Sequence, residues 1–446
     1  MPKVIIIGGG ISGLSAAYYL NKAGIRPTLI EKSEHLGGVI RTTVQQGCVL
    51  EAGPDSFIAA KPWAMELIEE VGLADQVIGS NDHLRITYIL KHGKLVPLPD
   101  GLMMMVPTKI LPLMRTDLLS WGTKIRMGLE FLRRPPKAPH ADRSVYDFLL
   151  DHYGQESIDY LAEPLLAGVY GGDPREMSVN SVLARFVEIE TKYGSLTRGV
   201  LAAPRPNGSS SGSLFRTLKN GLGQLVDALK GSADVVHAAA DALERNGSGF
   251  RARVNGDWLD AEHVVLATPA ADAARLLKPW NGNLAELLQA IPYTSSVTLS
   301  LGYRKDTFDH PLKGFGFLVP KRERKLLAAC TWVGNKFSYR VPEDMVLLRC
   351  FMGGGALQES DASLVDTARR ELQSIMGLSA MPVFSSVARW PNAMAQYTVG
   401  HEQRQRQVES IVKGIPGLHL AGNGYRGIGL PDCVKMGKEA AARITS

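Results

Sequence analysis

The sequence predicts an α/β fold whose nucleotide-binding part is formed by both ends of the chain. Three observations predict it: an apolar strand followed by glycines at residues 4–13, a second strand ending at Glu31, and a strand–turn–helix pattern over residues 418–442. We expect the residues between the two ends to form an inserted α+β domain and a helical region.

The first strand and its following turn carry the strongest signal. Residues 4–7 are a β-branched run without a polar interruption, typical of a strand buried on both faces of a parallel sheet. A helical pattern follows over residues 14–23. The connecting turn has the G-x-G-x-x-G spacing and consists of Gly8, Gly9, Gly10, Ile11, Ser12 and Gly13. Such glycines let the backbone approach a pyrophosphate at the positive end of a helix, so the pattern predicts a Rossmann-type dinucleotide site.

The end of the second strand indicates how the nucleotide is bound. Glu31 lies 18 positions after Gly13, where a carboxylate accepts hydrogen bonds from an adenosine ribose. A carboxylate there disfavours the 2′-phosphate of NADP. Lys32 is assigned to the same site. A generic βαβ unit would not require three glycines at these offsets.

Composition limits the class of protein. The chain has 446 residues, is 45% hydrophobic and 21% charged, and is long enough for two domains with a large core. Its formal net charge of +6 suits an anionic substrate or an anionic membrane surface, or a basic surface without a partner. We expect no nucleic-acid partner.

The cysteine pattern and the first residues indicate a compartment. The four cysteines form no C-x-x-C pair, so neither a zinc site nor a redox-active disulfide is expected, and no metal site is predicted. No secretory signal precedes the first strand, and no apolar run reaches 18 residues. The expected localisation is cytoplasmic, with peripheral contact to the inner face of the cell membrane as an open alternative.

The character of the chain changes after residue 84. Two strands joined at His92-Gly93 precede a methionine-rich stretch broken by prolines, and residues 118–134 form a basic amphipathic helix. These features fit a surface that rests on a bilayer, or a second domain that packs on the first with methionine filling the core. A Gly/Ser loop, residues 208–212, is expected to be mobile.

Several motifs resemble those of known flavoproteins. Residues 35–42 contain a second glycine pair and resemble the FAD signature of the group that includes amine oxidases, phytoene desaturases and protoporphyrinogen oxidases; their candidate residues are Gly38, Val39 and Arg41. Residues 51–57, 168–178, 314–320 and 421–433 resemble segments of protoporphyrinogen oxidases. The protein is therefore identified as a member of the oxygen-dependent protoporphyrinogen/coproporphyrinogen oxidase family, within the flavin amine oxidase superfamily.

This resemblance implies the cofactor, the reaction and the site residues. It implies one FAD, oxidation of protoporphyrinogen IX to protoporphyrin IX by O2 with release of H2O2 in haem biosynthesis, and hand-over of the product to the next enzyme. The alternative within the family is coproporphyrinogen III. Further FAD contacts are assigned to Gly53, Pro54, Asp55, Ser56, Ala242, Trp390, Asn423, Ile428, Gly429 and Leu430. Substrate contacts are assigned to Arg85, which would pair with a propionate, and to Gly168, Leu318 and Phe351.

No catalytic acid–base set is predicted, because the flavin carries the difficult chemistry and the chain positions the substrate. Extra cations near the pocket would favour coproporphyrinogen, and the candidates are Lys91, Lys94, Lys192 and Arg198. Another amine oxidase or desaturase, a flavin or porphyrin carrier, and an NAD dehydrogenase remain alternatives. Whether the protein is a monomer or a homodimer stays open.

The same reasoning assigns domain boundaries. The FAD-binding domain is expected to comprise residues 1–80, 216–275 and 401–446. Residues 81–215 are assigned to the helical, membrane-associating and substrate region, and residues 276–400 to the substrate domain.

Overall fold

The fold is taken from a computed structural model that describes residues 1–138, 140–203 and 213–446. The strands are β1 (Val4–Ile7), β2 (Thr28–Glu31), β3 (Thr42–Gln45), β4 (Cys48–Glu51), β5 (Phe57–Ile58), β6 (Val77–Gly79), β7 (Thr87–Lys91), β8 (Lys94–Pro97), β9 (Leu102–Met103), β10 (Val106–Pro107), β11 (Phe215–Leu218), β12 (Asp234–His237), β13 (Ala240–Asn246), β14 (Gly249–Val254), β15 (Asp257–Ala261), β16 (His263–Leu266), β17 (Tyr293–Arg304), β18 (Gly316–Leu318), β19 (Leu327–Trp332), β20 (Met345–Gly353), β21 (Phe384–Ala395) and β22 (Leu418–Leu420).

The helices connect and cover these strands. They are α1 (Ile11–Lys22), α2 (Trp63–Glu70), α3 (Ile110–Arg115), α4 (Trp121–Glu130), α5 (Val145–Tyr153), α6 (Gln155–Ser157), α7 (Glu163–Tyr170), α8 (Val179–Val182), α9 (Ala184–Tyr193), α10 (Leu196–Ala202), α11 (Gly223–Leu229), α12 (Ala270–Leu277), α13 (Gly282–Gln289), α14 (Val333–Lys336), α15 (Asp361–Met376), α16 (His401–Lys413) and α17 (Leu430–Thr445). A π-helical turn, Ile158–Ala162, joins α6 to α7.

A five-stranded parallel sheet brings the two chain ends together. Its strand order is β12-β2-β1-β16-β22, so the first strand of the chain lies next to a strand from the middle, which pairs with the last strand. The four residues of β1 are all buried, as their β-branched run predicts. The predicted α/β fold with a nucleotide-binding part shared by both termini is therefore confirmed.

A seven-stranded sheet forms the inserted part. Its order is β21-β17-β20-β19-β18-β7-β8, and every pairing is antiparallel except that of β18 with β7. Val297 and Leu299 point into a core with α15, while the alternate residues Thr298 and Ser300 point to the opposite face. We call that opposite face the pocket face; it also carries Arg349, Phe351 and Leu318.

The helical region has a separate hydrophobic core. Side chains from α4, α5, α7 and α9 meet in it, and Leu318 of the pocket face packs against them. The predicted helix over residues 118–134 is shorter in the structure because the Ser120 side chain caps α4, accepting a hydrogen bond from the Thr123 backbone N–H. No helix in the described part of the chain is both long and apolar enough to cross a bilayer.

Some boundaries differ from those expected. The strand predicted over residues 235–242 is two strands, because the chain leaves the parallel sheet after His237 and starts an antiparallel sheet at Ala240. The hydrophobic core that contains the parallel sheet also includes buried residues of α12 and α13, as far as Ile291. The domain boundary placed after residue 275 stays a prediction. The loop predicted over residues 208–212 lies outside the described residues.

Candidate functional site

The glycine turn leaves the start of α1 open. Gly10 is the N-cap, and the first turn has neither a capping side chain nor an acidic residue. A Cβ on Gly13 would lie 2.0 Å from the Gly8 carbonyl oxygen, whereas a Cβ on Gly10 would meet no described atom within 4 Å. Gly13 therefore permits close packing and Gly10 leaves room for a ligand. Ile11 and Ser12 add backbone N–H groups to a helix terminus suited to a diphosphate.

Glu31 is fixed beside this turn. One of its carboxylate oxygens accepts a hydrogen bond from the Gly9 backbone N–H at 2.7 Å, and the other accepts one from Ser33 N–H at 2.8 Å. The carboxylate is thus held at the end of β2, where the ribose was expected. Lys32 extends away from this turn, with its Nζ 3.7 Å from Asp272.

The second glycine pair packs directly on the first. The Gly37 N–H donates to the Gly9 carbonyl at 2.8 Å, and a Cβ on Gly38 would lie 3.3 Å from Gly10 Cα. Val39 follows with 38% exposure, and the Arg41 guanidinium lies 5.9 Å from the centre of the Trp390 ring. The structure therefore brings both predicted glycine motifs, together with Val39 and Arg41, to the end of the parallel sheet where β1 meets its glycine turn.

The C-terminal turn reaches the same edge. Gly429 is the N-cap of α17, and Leu430 is its first residue; Ile428 is half-buried beside them. A Cβ on Gly437 would lie 2.3 Å from the Ser12 carbonyl oxygen. Helix α17 therefore crosses α1 closely, near the start of α1. The first turn of α1 and the middle of α17, from opposite ends of the chain, are consequently in close contact.

Buried polar contacts hold this turn in shape. The Tyr397 hydroxyl donates to the Asn423 carbonyl at 2.9 Å and accepts from the Gly427 N–H at 2.7 Å. The Asn423 side chain donates to the Ala393 carbonyl at 2.9 Å. His401 stacks on Tyr397 at 4.0 Å, and burial lowers the pKa of His401 to about 4. A neutral imidazole therefore supports the turn at physiological pH.

The turn after β4 is clamped by the pocket face. The Ala52 carbonyl accepts hydrogen bonds from Thr298 Oγ1 at 2.6 Å and from Trp390 Nε1 at 2.8 Å. The next carbonyl, that of Gly53, accepts one from Arg349. A Cβ on Gly53 would lie 1.8 Å from the Val39 carbonyl oxygen, so only glycine fits between the second glycine motif and the sheet.

Asp55 extends this clamp. Its carboxylate accepts hydrogen bonds from Lys336 Nζ at 2.9 and 3.1 Å and lies 3.5 Å from Arg349 Nη1. Burial alone would raise the pKa of Asp55, but Lys336 and then Arg349 hold it well below its usual range. Ser56 donates to the same carboxylate at 2.6 Å, and Pro54 links Asp55 to the clamped glycine.

Two predicted substrate residues share one row of the pocket face. Leu318 is opposite Ala329, Ala329 is opposite Phe351, and Phe351 is opposite Thr298, whose hydroxyl binds the clamped turn. Directly opposed residues in a sheet point to the same face. A Cβ on Gly168 of α7 would lie 3.6 Å from Leu318 Cδ2, so the helix faces this row without a side chain of its own. Three predicted substrate positions therefore converge.

The predicted cations differ in their availability. Arg85 is exposed just before β7, near Asp100, whose carboxylate is bound by Lys109 Nζ at 2.6 Å. Lys91 is instead committed to the Leu118 carbonyl and Glu156, and Arg198 donates to the Arg133 carbonyl. Lys94 lies across the hairpin from Lys91, and Lys192 lies 5.2 Å from the Tyr193 ring. Lys91 and Arg198 are therefore occupied by other contacts, whereas the pocket assignment of Arg85 stays a prediction, as do those of Lys94 and Lys192.

Ala242 lies in a different sheet from β1 and β2, and its FAD contact stays a prediction. It is in β13, beyond the break that follows His237, whereas the Ala238 N–H donates to the Glu31 carbonyl at 2.9 Å. Sequence reasoning also missed Thr298, Lys336 and Arg349. A signal for Arg349 existed, because it is a charged residue within the otherwise apolar strand Met345–Met352. In the described ranges, no group of three or more His, Cys, Asp or Glu side chains is arranged to hold a metal ion.

Comparison with known proteins decides the family. The sequence pattern of the family described as "Flavin containing amine oxidoreductase" matches residues 11–445. The chain belongs to this family. Because the family is flavin-containing, the predictions of an FAD cofactor and of an oxidoreductase are confirmed. The open N-terminus of α1, the two glycine motifs and Glu31 form a site that fits FAD. The N-terminus of α17 differs from that of α1, since Asp432 lies in its first turn and pairs with Lys61 at 2.6 Å.

Individual relatives agree with this membership. Coproporphyrinogen III oxidase of Bacillus subtilis is 32% identical over 98% of this chain and 97% of its own length. Protoporphyrinogen oxidase 1 of Arabidopsis thaliana is 29% identical over 99% of this chain and 88% of its own length. A crystal structure from Exiguobacterium sp. 255-15, provisionally named a protoporphyrinogen oxidase, has a TM-score of 0.89 and 31% identity, covering 100% of this chain and 98% of that one. The predicted resemblance to porphyrinogen oxidases is confirmed.

Proposed function

We propose that the protein oxidises a porphyrinogen to the corresponding porphyrin, with O2 as electron acceptor and H2O2 as the second product. The observation that carries this proposal is the row of Leu318, Ala329 and Phe351 facing the bare Gly168, next to the clamped Ala52–Gly53 turn. An apolar wall opposite a residue without a side chain suits a flat macrocycle. The names and identities of the relatives support the same substrate class.

When bound, FAD supplies the acceptor for hydride removed from the substrate. The residues of the chain bind, orient and exclude water. The glycine turn and the N-terminus of α17 would hold the cofactor, and Thr298, Trp390 and Arg349 fix the Ala52–Gly53 turn beside the pocket face. Leu318 and Phe351 keep the substrate in a dry, apolar slot, so that proximity contributes most of the acceleration expected of the chain itself.

We favour coproporphyrinogen III over protoporphyrinogen IX as the substrate. Three bacterial relatives of 30–33% identity carry the name coproporphyrinogen III oxidase, whereas five plant protoporphyrinogen oxidases are 24–29% identical. The Exiguobacterium structure, provisionally named a protoporphyrinogen oxidase, is 31% identical. Coproporphyrinogen carries four propionates, and Arg85 offers an exposed cation beside the pocket strands. The order in which the sequence analysis placed the two substrates is thus reversed in this proposal.

A side-by-side assay of the two porphyrinogens tests this function. We expect porphyrin fluorescence and H2O2 to appear with both, and faster with coproporphyrinogen III. Arg85→Ala should raise KM for coproporphyrinogen about fivefold, an effect of about 1 kcal/mol, with FAD content unchanged. Arg406→Ala, which removes an exposed arginine on α16, is the matched control and should leave KM unchanged. If the protein oxidises neither porphyrinogen, the proposal is contradicted.

We also propose that the helical region contacts an anionic bilayer. An apolar stripe runs along α4 and its C-terminal turn: Trp121, Ile125, Leu129 and Leu132 are 63%, 59%, 60% and 70% exposed. Their spacing repeats every three to four residues, so they lie on one helix face. On α3, Ile110 is 79% exposed. Soluble surfaces rarely display contiguous apolar residues of this size without a partner.

Charge selects the lipid surface among the possible occupants of the stripe. Residues 101–134 contain six Lys or Arg and two Asp or Glu. One residue of each sign, Lys124 and Glu130, is buried, so five cations and one acid lie outside the core. A second copy of the chain would bring like charges together, whereas anionic headgroups neutralise them. The predicted cytoplasmic localisation, the hand-over of product and the oligomeric state stay predictions.

Liposome sedimentation tests the contact. The protein should sediment with anionic vesicles at low salt and be released at high salt, and should not sediment with neutral vesicles. Leu129→Glu should reduce binding strongly without unfolding the protein, because the side chain is exposed. Val44→Glu, at a residue 66% exposed on β3, is the control and should bind normally. Equal binding by both variants, or a shift to dimers on removal of the lipid, contradicts the proposal.

A further inference from the structure

Arg349 is a buried arginine that contacts both sides of the candidate site. Its side chain is 5% exposed, and its guanidinium donates to the Gly53 carbonyl and lies 3.5 Å from Asp55. The same guanidinium lies 4.6 Å from the centre of the Phe351 ring. We propose that Arg349 is a positioning residue that couples the FAD-side turn to the substrate-side ring and, through its charge, favours the reduced flavin.

The sheet explains why one residue reaches both sides. Arg349 and Phe351 are two positions apart in β20, so both point to the pocket face. Arg349 is opposite Ser300 and Thr331, which leaves its long side chain free to lie under Phe351 and extend to Gly53. A shift of the turn therefore moves the guanidinium, and a shift of the guanidinium moves the ring.

Among the residues that the structure describes, no neighbour duplicates these contacts. Thr298 and Trp390 hold the Ala52 carbonyl, whereas Arg349 holds the next carbonyl along the chain. Lys336 neutralises Asp55 but is a point charge on a different element, α14. The planar guanidinium can bind a carbonyl, a carboxylate and a ring face at once, which an ammonium cannot.

The charged groups around Arg349 carry a net positive charge. Three buried or nearly buried cations, Lys336, Arg340 and Arg349, are paired with two carboxylates, Glu51 and Asp55. The set carries at least one excess positive charge next to the turn assigned to the flavin. Excess positive charge in a poorly solvated site stabilises a group that takes up electrons. Arg349 is the member of this set that touches the turn itself.

A purely structural ion pair is the competing explanation. Replacing a buried pair often changes stability little, while removing one partner is destabilising. That explanation predicts a lower melting temperature for every Arg349 variant but no change in the flavin itself. A measurement on the flavin in folded, FAD-loaded protein therefore separates the two explanations.

The test uses three variants of the full-length, FAD-loaded protein. Arg349→Met removes both the positive charge and the planar guanidinium group. Arg349→Lys keeps the positive charge but not the guanidinium. Arg389→Met removes an arginine that pairs with Asp361 at the start of α15. Arg389 lies opposite Val297 on the core face of the sheet, not on the face that clamps the turn, and it serves as the matched control. The readouts are the flavin midpoint potential, KM and kcat for coproporphyrinogen III, and the melting temperature.

We expect Arg349→Met to lower the midpoint potential and to reduce kcat about tenfold. Arg349→Lys should restore the potential but keep a raised KM, because Phe351 loses its support. Arg389→Met should change only the melting temperature. A wild-type potential in Arg349→Met, or identical behaviour of Arg349→Met and Arg389→Met, overturns the inference. If Arg349→Met loses FAD, Arg349→Lys decides: wild-type KM and kcat in that variant overturn the inference.

The inference rests on the proposed function, but the two fail differently. If the wild-type protein oxidises no porphyrinogen, the proposed function fails, and the midpoint potentials still decide the role of Arg349 toward the flavin. If the wild-type protein is active and the potentials do not differ, the inference alone fails.

Discussion

The two faces of the seven-stranded sheet differ in what they do. One face presents Val297, Leu299 and Cys350 to α15 and is fully buried. The other presents Thr298, Arg349 and Phe351, and it binds the turn of the nucleotide domain on one side and faces α7 on the other. The same strands therefore supply a stabilising core and a candidate active-site wall, separated only by the two-residue period of the strand.

This difference teaches where substitutions should act. Changes on the core face should alter the free energy of unfolding, because they remove packing. Changes on the pocket face or in the segments clamped to it should alter cofactor retention and turnover. Substitutions at two neighbouring residues of one strand should therefore affect different properties, one the free energy of unfolding and the other cofactor retention and turnover.

The largest expected effect is at the turn that the pocket face clamps. Gly53→Ala should abolish FAD retention, because the new Cβ would lie 1.8 Å from the Val39 backbone oxygen. The measurement is the flavin absorbance of the purified, folded protein. Gly355→Ala is the control, since a Cβ there meets no described atom within 4 Å. A yellow Gly53→Ala protein would show that the clamp is looser than the geometry indicates.

Substitutions on the core face should change only the free energy of unfolding. Leu299 is completely buried, so Leu299→Ala should lower the free energy of unfolding by about 2–5 kcal/mol. Turnover per bound FAD should not change. Phe351→Ala, on the half-buried pocket face, should cost less stability and raise KM for the porphyrinogen. Denaturant unfolding and steady-state kinetics compare the pair, and a reversed ranking would break the distinction between the faces.

The helix opposite the pocket face offers a smaller effect. Gly168→Ala should be tolerated, because a Cβ there reaches Leu318 only at an ordinary 3.6 Å contact. Gly168→Leu should fill the space and reduce kcat/KM on the order of 100-fold, with FAD still bound, since misplacing a substrate by about 1 Å is that costly. Equal activity of the two variants would place the substrate away from α7.

Sequence reasoning succeeded where the chemistry is local. The glycine turn, Glu31 and the start of α17 are short motifs whose spacing is set by backbone geometry, and the structure brings them to one sheet edge. The hairpin at His92-Gly93 was also predicted from a local pattern. In the structure both residues have positive φ, as a two-residue hairpin turn requires. The resemblance at residues 168–178 also assigned a substrate contact to Gly168, and the structure places Gly168 next to Leu318.

The remaining contacts depend on tertiary structure. Lys336 and Asp55 are 281 residues apart, and Arg349 and Gly53 are 296 residues apart. Neither pairing leaves a periodicity in a single sequence. The break between β12 and β13 was missed because residues 235–242 read as one apolar strand, whereas the two halves join different sheets. Lys91 was proposed as a pocket cation because a sequence does not show that the Leu118 carbonyl already binds it.

The most direct test of the whole account is an anaerobic mixing experiment. Coproporphyrinogen III is added to the FAD-loaded protein without O2 while the visible spectrum is recorded. The account predicts that the flavin absorbance bleaches without O2, because each FAD takes up two of the six electrons that the porphyrinogen must lose. Admitting O2 should then restore the flavin band, with formation of H2O2 and appearance of porphyrin absorbance as turnover resumes. A flavin that remains oxidised in the presence of both porphyrinogens would contradict the account and would favour a carrier or an oxidase of another substrate.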